Sequence, residues 1–159
     1  MRLVMALSGL IALTSPLAAQ KPNDPFLTNR WGIDPDLDAY PQTSPKVALQ
    51  SVLKAGDAGR FDYVVAQLSD PAYSEKQVKE QGTFEKFVAV VKQKWNNDPE
   101  TIKELRRFAA DGVWEETGDA AIAKLKDVKA RQVFMKKLGN RWFLENRTKP
   151  QAPPQQPPP

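Results

Sequence analysis

Neither cysteine nor histidine occurs among the 159 residues. Without thiols no disulfide can staple the chain, and no lipid can be attached at a cysteine behind a leader. The folded part must therefore be held by its core alone. Without imidazole or thiolate, the usual ligands of zinc and copper are missing, and Ser-His and Cys-His nucleophile pairs cannot be assembled. Neither a metal site nor a cofactor is expected. Long hydrophobic runs are scarce too. Leu3 to Leu13 is too short for a permanent membrane span, and no other candidate follows it.

That run has a different reading. Arg2 supplies a positive charge before it, and Thr14-Ser15-Pro16-Leu17-Ala18-Ala19 ends in small residues. Residues 1–19 read as a signal peptide cleaved after Ala19, which places the mature chain in a secreted or periplasmic setting without a transmembrane anchor. Residues 20–43 are rich in Pro, Asp and Asn but carry Phe26, Leu27, Trp31, Ile33 and Tyr40. They read as an extended arm that partly docks on the domain. Residues 148–159 contain six prolines and are expected to form a polyproline II tail, either a solubilising end or a ligand for a Pro-binding groove. Residues 44–147 remain as a single domain.

The first half of that domain reads as helices. Ser44-Pro45 offers a hydroxyl cap with Pro at the first helical position, and Ala48, Leu49, Val52 and Leu53 recur at helical spacing. Gly56 is expected to end this helix and Asp57 to cap a second one carrying Phe61, Val64, Val65 and Leu68. Ser74-Glu75-Lys76-Gln77 has the form of a capping box opening a third. After Gly82-Thr83, the stripe Phe84, Phe87, Val88, Val91 and Trp95 is the strongest in the chain. Asp98-Pro99 caps a last helix with Ile102, Leu105 and Phe108.

From Asp111 to Arg147 the period changes to two. Gly118-Asp119 and Gly139-Asn140 are hairpin turns, since these residues tolerate positive φ. A four-stranded antiparallel meander follows, giving an α+β fold with the N-terminal helices packed on one face of the C-terminal sheet. The turns put Trp114, Ala121, Ala123, Leu125, Val133, Met135, Trp142 and Leu144 on one face, with Glu116 at its end. Val113, Glu115, Ile122, Lys124, Lys126, Phe134, Lys136, Arg141, Phe143, Glu145 and Arg147 fall on the other, which is expected to meet water.

Ser-Pro-x-x-Ala-Leu at 44–49, Lys-Ala-Gly-Asp at 54–57, Leu-Ser-Asp-Pro at 68–71 and Gly-Asn-Arg-Trp-Phe-Leu at 139–144 resemble the nuclear-transport-factor-like, SnoaL-like superfamily of cystatin-like cone folds. With Glu104 to Phe108 and Glu145 to Arg147 added, the pattern is similar to uncharacterised secreted proteins of planctomycete-type bacteria. The resemblance implies a curved sheet wrapping helices around an interior that holds a small ligand. Catalytic members such as ketosteroid isomerases place an Asp base and a Tyr or Asp donor there, and neither position has a counterpart in this sequence. The fold group also pairs as homodimers through the outer sheet face.

Three functions follow as expectations. The first is an accessory, non-catalytic domain binding a small apolar molecule or a protein partner, with Trp114, Glu116, Met135 and Trp142 as candidate lining and core packing as their competing role. The second is an isomerase or hydrolase working through carboxylates, for which Glu116 beside Trp114 is the candidate. Carboxylates are rarely buried unpaired, so a solvated edge is the stronger reading of Glu116. The third is a binder of an anionic cell-envelope polymer. Residues 120–149 hold nine Lys or Arg against two acids, and Lys124, Lys126, Lys136, Arg141 and Arg147 interleave with Phe134 and Phe143. Export removes nucleic acid from that set, and like charge on the same face opposes a homodimer there. The competing role is a solvated face whose lysine stems cover the aromatics.

Overall fold

In the computed structural model the described residues are 24–147. The expected leader at 1–19 and tail at 148–159 lie outside them. Five helices precede the sheet: α1 (Pro45–Asp57), α2 (Phe61–Tyr63), which runs into a π-helical turn (Val64–Leu68), α3 (Pro71–Gln81), α4 (Phe84–Asn97) and α5 (Pro99–Asp111). The strands are β1 (Val113–Thr117), β2 (Ala120–Leu125), β3 (Val128–Leu138) and β4 (Arg141–Glu145), in sheet order β1-β2-β3-β4. This is the expected α+β arrangement with an antiparallel meander.

Both expected turns set the register. Gly118 and Gly139 take φ of +58° and +60°, and the strands they join close at Thr117↔Ala120 and Leu138↔Arg141. Lys126 and Asp127 form a third two-residue turn between Leu125 and Val128. Lys126 is therefore a turn residue and not part of the outer sheet face.

Three cap assignments differ from expectation. Gly56 does not end α1 but lies one residue inside it, where a Cβ would overlap the Trp95 indole. The glycine is required by close packing, not by a helix stop. Asp57 ends α1 and pairs with Arg106 at 2.5 Å, while α2 has no side-chain cap. Ser74 sits inside α3, which starts three residues earlier at Pro71; its buried hydroxyl donates to the Val65 carbonyl at 2.9 Å. The caps expected at Ser44 and Asp98 are in place, and Thr83 caps α4 as well. Ser44, Thr83 and Asp98 accept from the backbone N–H groups of Val47, Lys86 and Thr101.

The apolar sheet face packs as the alternation requires. Ala121, Ala123, Leu125, Val133, Met135 and Trp142 join Ala48, Leu49, Leu53, Phe108 and Ala109 in one core. A second core forms from Val52 and Ala55 of α1 with Tyr40, Tyr63, Val64 and Leu68. Burial of each Leu or Val contributes roughly 1.5–3 kcal/mol, which has to hold a chain without disulfides. Trp95 and Leu144 are half-buried against both cores.

The other face is not open to water along its whole width. Arg141 and Phe143 are 2% and 1% exposed, because the arm lies over them. Phe26 meets Phe143 edge-on at 6.4 Å between ring centroids. The Arg141 guanidinium donates to the Phe26 carbonyl at 2.7 Å, to Gln42 Oε1 at 3.0 and 2.5 Å, and to the Gln67 carbonyl at 3.2 Å. Gln67 Nε2 in turn donates to the Thr28 and Ile33 carbonyls. Burial pulls the Arg141 pKa down from its ordinary value, opposed by the nearby Tyr63 and Asp24. A guanidinium nevertheless stays charged in proteins. The rest of the described arm is tied as closely. Trp31 and Gly32 form a tight turn with φ of 50° and 79°, and Trp31 stacks on Phe84 at 5.0 Å.

Two outcomes test this account. Gly56→Ala should lower unfolding stability by about 1–2 kcal/mol in urea titrations, although Ala is the better helix former, because the displaced indole outweighs the propensity gain; a stabilised variant would refute the packing argument. Arg141→Met should cost roughly 3 kcal/mol or more by stranding buried acceptors, and hydrogen exchange should show the arm amides of Thr28 to Gln42 losing protection. Arg141→Lys should not restore them, since an ammonium cannot reproduce the planar fork.

Candidate functional site

A cleft of about 560 Å³ opens where α4, α5 and the end of β4 diverge around Trp95 and Leu144. Its apolar walls come from Phe87 and Val91 of α4, Ile102 and Leu105 of α5, and Val52 and Val64 beneath. The volume falls within the usual range for small-molecule sites. Local sequence explains the opening. The α4 stripe turns toward α3 and α2, with Phe87 edge-on to Tyr73 and Trp95 edge-on to Phe61, and Gly56 of α1 admits the Trp95 indole. Asp98-Pro99 then ends α4 and starts α5 as a separate helix.

Polar groups stand among these walls. Asp98 lines the cleft, but its carboxylate accepts from the Thr101 N–H at 3.0 Å and the Thr101 hydroxyl at 2.6 Å. Those hydrogen bonds hold its pKa below the ordinary carboxylate value. It is an ionised helix cap and is ill suited to take up a proton near neutrality. Tyr73 also lines the cleft, and burial pushes its phenol pKa upward, with a smaller contribution from Glu80. It is a neutral hydroxyl. Lys94, Gln93, Asn97 and Asn146 add nitrogen donors. Among the described residues there is no group of three or more Asp or Glu placed to hold a metal ion.

The four residues expected to line a ligand site are placed elsewhere. Met135 and Trp142, 0% and 3% exposed, are filled core. Trp114 is half-buried against that core, and its buried indole N–H has no acceptor among the described residues. Glu116 is exposed at the outer end of β1. The cleft is built from helix residues that the sequence offered as ordinary amphipathic stripe. From the apolar sheet face, Leu144 lines it. The available sequence signal was the density of aromatics on α4.

The expected polyanion platform is also dispersed. Arg141 is inside the protein and unavailable to an external anion. Lys126 is exposed in the β2–β3 turn. Lys124 pairs with Glu115 across β1 and β2 at 2.6 Å, and Lys136 faces Asp70 at 3.8 Å. Arg147 pairs with Glu145 at 2.8 Å and lies over the Phe134 ring at 4.5 Å. Adjacent opposite charges weaken the field that would attract an anionic polymer. The arm over Phe143 also occupies part of the face through which a homodimer was expected to pair. Among the described residues no helix is long and apolar enough to cross a membrane. Compared with known proteins, the chain matches no protein-family model, no curated protein and no solved structure.

Proposed function

We propose that this protein is an exported, non-catalytic accessory domain that binds a small, mostly apolar molecule in the α4–α5–β4 cleft. The observation that carries the reading is the cleft itself. It is an opening of about 560 Å³ walled by Trp95, Phe87, Val91, Ile102, Leu105 and Leu144 in a domain whose sheet–helix interface is otherwise closely filled. Its polar groups favour holding over reacting. Tyr73 offers a neutral hydroxyl, the side-chain amides offer directional hydrogen bonds, and the Asp98 carboxylate is already engaged. A general acid or base would need a carboxyl or phenol tuned toward neutrality, and these two are shifted away from it. Membership of the nuclear-transport-factor-like group, proposed from the sequence motifs, agrees with a ligand held between helices and sheet. The export proposal rests on the leader read at residues 1–19.

The test is fluorescence titration of the full chain with 1-anilinonaphthalene-8-sulfonate. Val91→Trp and Ile102→Trp fill the cleft with apolar bulk and should each weaken dye binding roughly tenfold, about 1.4 kcal/mol. Lys124→Glu, on the far side of the sheet, should leave it unchanged. If both filling variants retain native circular dichroism and bind the dye as the parent does, the cleft is not the site. Affinity should also stay flat between about pH 5 and pH 9 as regards the two shifted groups, because Asp98 titrates below that window and Tyr73 above it. A bell-shaped profile inside it would instead favour acid–base chemistry.

A further inference from the structure

The two edges of the sheet differ. On the outer side of β4 the Trp142 N–H donates to the Gln42 carbonyl and the Asp70 N–H to the Leu144 carbonyl. β1 pairs with β2, and nothing among the described residues bonds to its outer side. Thr117 and Ala120 close the β1–β2 hairpin, so Val113, Glu115 and Thr117 turn their backbone groups toward β2. The N–H and C=O groups of Trp114 and Glu116 consequently face outward, as a template for a further strand. We propose that this edge docks an extended, lysine- or arginine-bearing segment of a partner protein by antiparallel strand addition. The proposal stands apart from the cleft and does not depend on it.

Charge selects the partner. Residues 111–119, Asp-Gly-Val-Trp-Glu-Glu-Thr-Gly-Asp, hold four acids and no Lys or Arg, in a chain whose net charge is +4. Asp111, Glu115, Glu116 and Asp119 are all exposed. Glu115 is met by Lys124 at 2.6 Å, while Glu116 has no ion pair among the described residues. A second copy laid antiparallel along β1 would set these glutamates against their own kind, and like charges directly opposite are destabilising. The same charge attracts a basic segment. Apolar contact is available at the start of the strand, where Val113 is 51% exposed on one face and Trp114 is half-buried on the other. The complementary segment, read from its N-terminus, is thus basic opposite Glu116 and Glu115 and apolar opposite Trp114 and Val113.

The test is titration of the full chain with acetyl-Thr-Lys-Lys-Val-Val-Thr-amide, which has that order. The NMR signals of the Trp114 and Glu116 amides and of the Trp114 indole should shift, and both amides should gain protection from hydrogen exchange. In the docked peptide the N–H groups of the first Lys and the first Val face β1. N-methylation of those two should abolish binding, and N-methylation of the second Lys and second Val, which face away, should preserve it. Glu115→Gln combined with Glu116→Gln should lower the affinity about fivefold, and the analogue with Glu in place of both lysines should not bind. Glu116→Pro removes an outward N–H without breaking the β1–β2 ladder, so it should abolish binding with circular dichroism unchanged; if that variant loses its fold, the two N-methylated peptides decide the matter. Equal binding by the acidic analogue, indifference to which N–H groups are methylated, or shifts that leave Trp114 and Glu116 unmoved would overturn the proposal. A dimer seen by sedimentation without peptide and lost in Glu116→Pro would make a second copy the occupant, and would overturn it too.

Discussion

A charged guanidinium sealed beneath a strand of coil is the constraint around which the structure is arranged. Among the described residues no carboxylate pairs with Arg141; its partners are the carbonyls of Phe26 and Gln67 and the side-chain oxygens of Gln42 and Gln67. A buried charge satisfied only by neutral acceptors demands that all of them be held in place at once. Those acceptors belong to the arm and to the π-helical turn, which are far apart in sequence. The requirement therefore fastens residues 24–43 to the helices and to β4 in a single step. The π-helical turn has a reason in the same place. Its widened backbone, closed by the Ser69 N–H to the Val64 carbonyl at 2.9 Å, accompanies the placement of Gln67 between the arm and the guanidinium.

The helix starts and the meander were legible in the sequence because they depend on local chemistry. Ser44-Pro45, Thr83 and Asp98-Pro99 start helices where capping geometry says they should, and Gly118 and Gly139 take the positive φ their turns need. Period-two alternation then sorted the apolar face correctly from Trp114 to Leu144. What could not be read was anything decided across long sequence separation. Arg141 looks like a solvent-facing strand cation until the arm is laid over it. Gly56 looks like a helix stop until Trp95 arrives from another helix. Ser74 has the spacing of a cap, yet Asp70-Pro71 starts the helix earlier and turns the Ser74 hydroxyl inward to Val65.

For the same reason, the cleft lies away from the residues the sequence singled out. Tryptophan and methionine on a sheet face are as suitable for filling a core as for lining a pocket, and Met135 and Trp142 fill one. The cleft appears where two helices separate, and the sequence records only the break between them at Asn97-Asp98-Pro99. Amphipathic periodicity gives the direction of burial on α4 and α5. It cannot tell whether the neighbouring surface reaches far enough to complete it.

β4 joins the Arg141 cage to the cleft. Its alternation sends Arg141 and Phe143 to the arm and Trp142 and Leu144 to the helices, so neighbouring residues serve the cage and the cleft. Its outer edge is closed by the Trp142 N–H to the Gln42 carbonyl at 3.1 Å and the Asp70 N–H to the Leu144 carbonyl at 2.9 Å. The strand that forms one wall of the cleft is thus fixed along its edge by the arm and by the segment after the π-helical turn. Loosening the Arg141 cage would leave Gln42 tied to this edge only through Trp142, and would weaken the hold of the arm on the strand that carries Leu144. The cleft's shape consequently depends on a polar network on the opposite face of the sheet, through the rigidity of one five-residue strand.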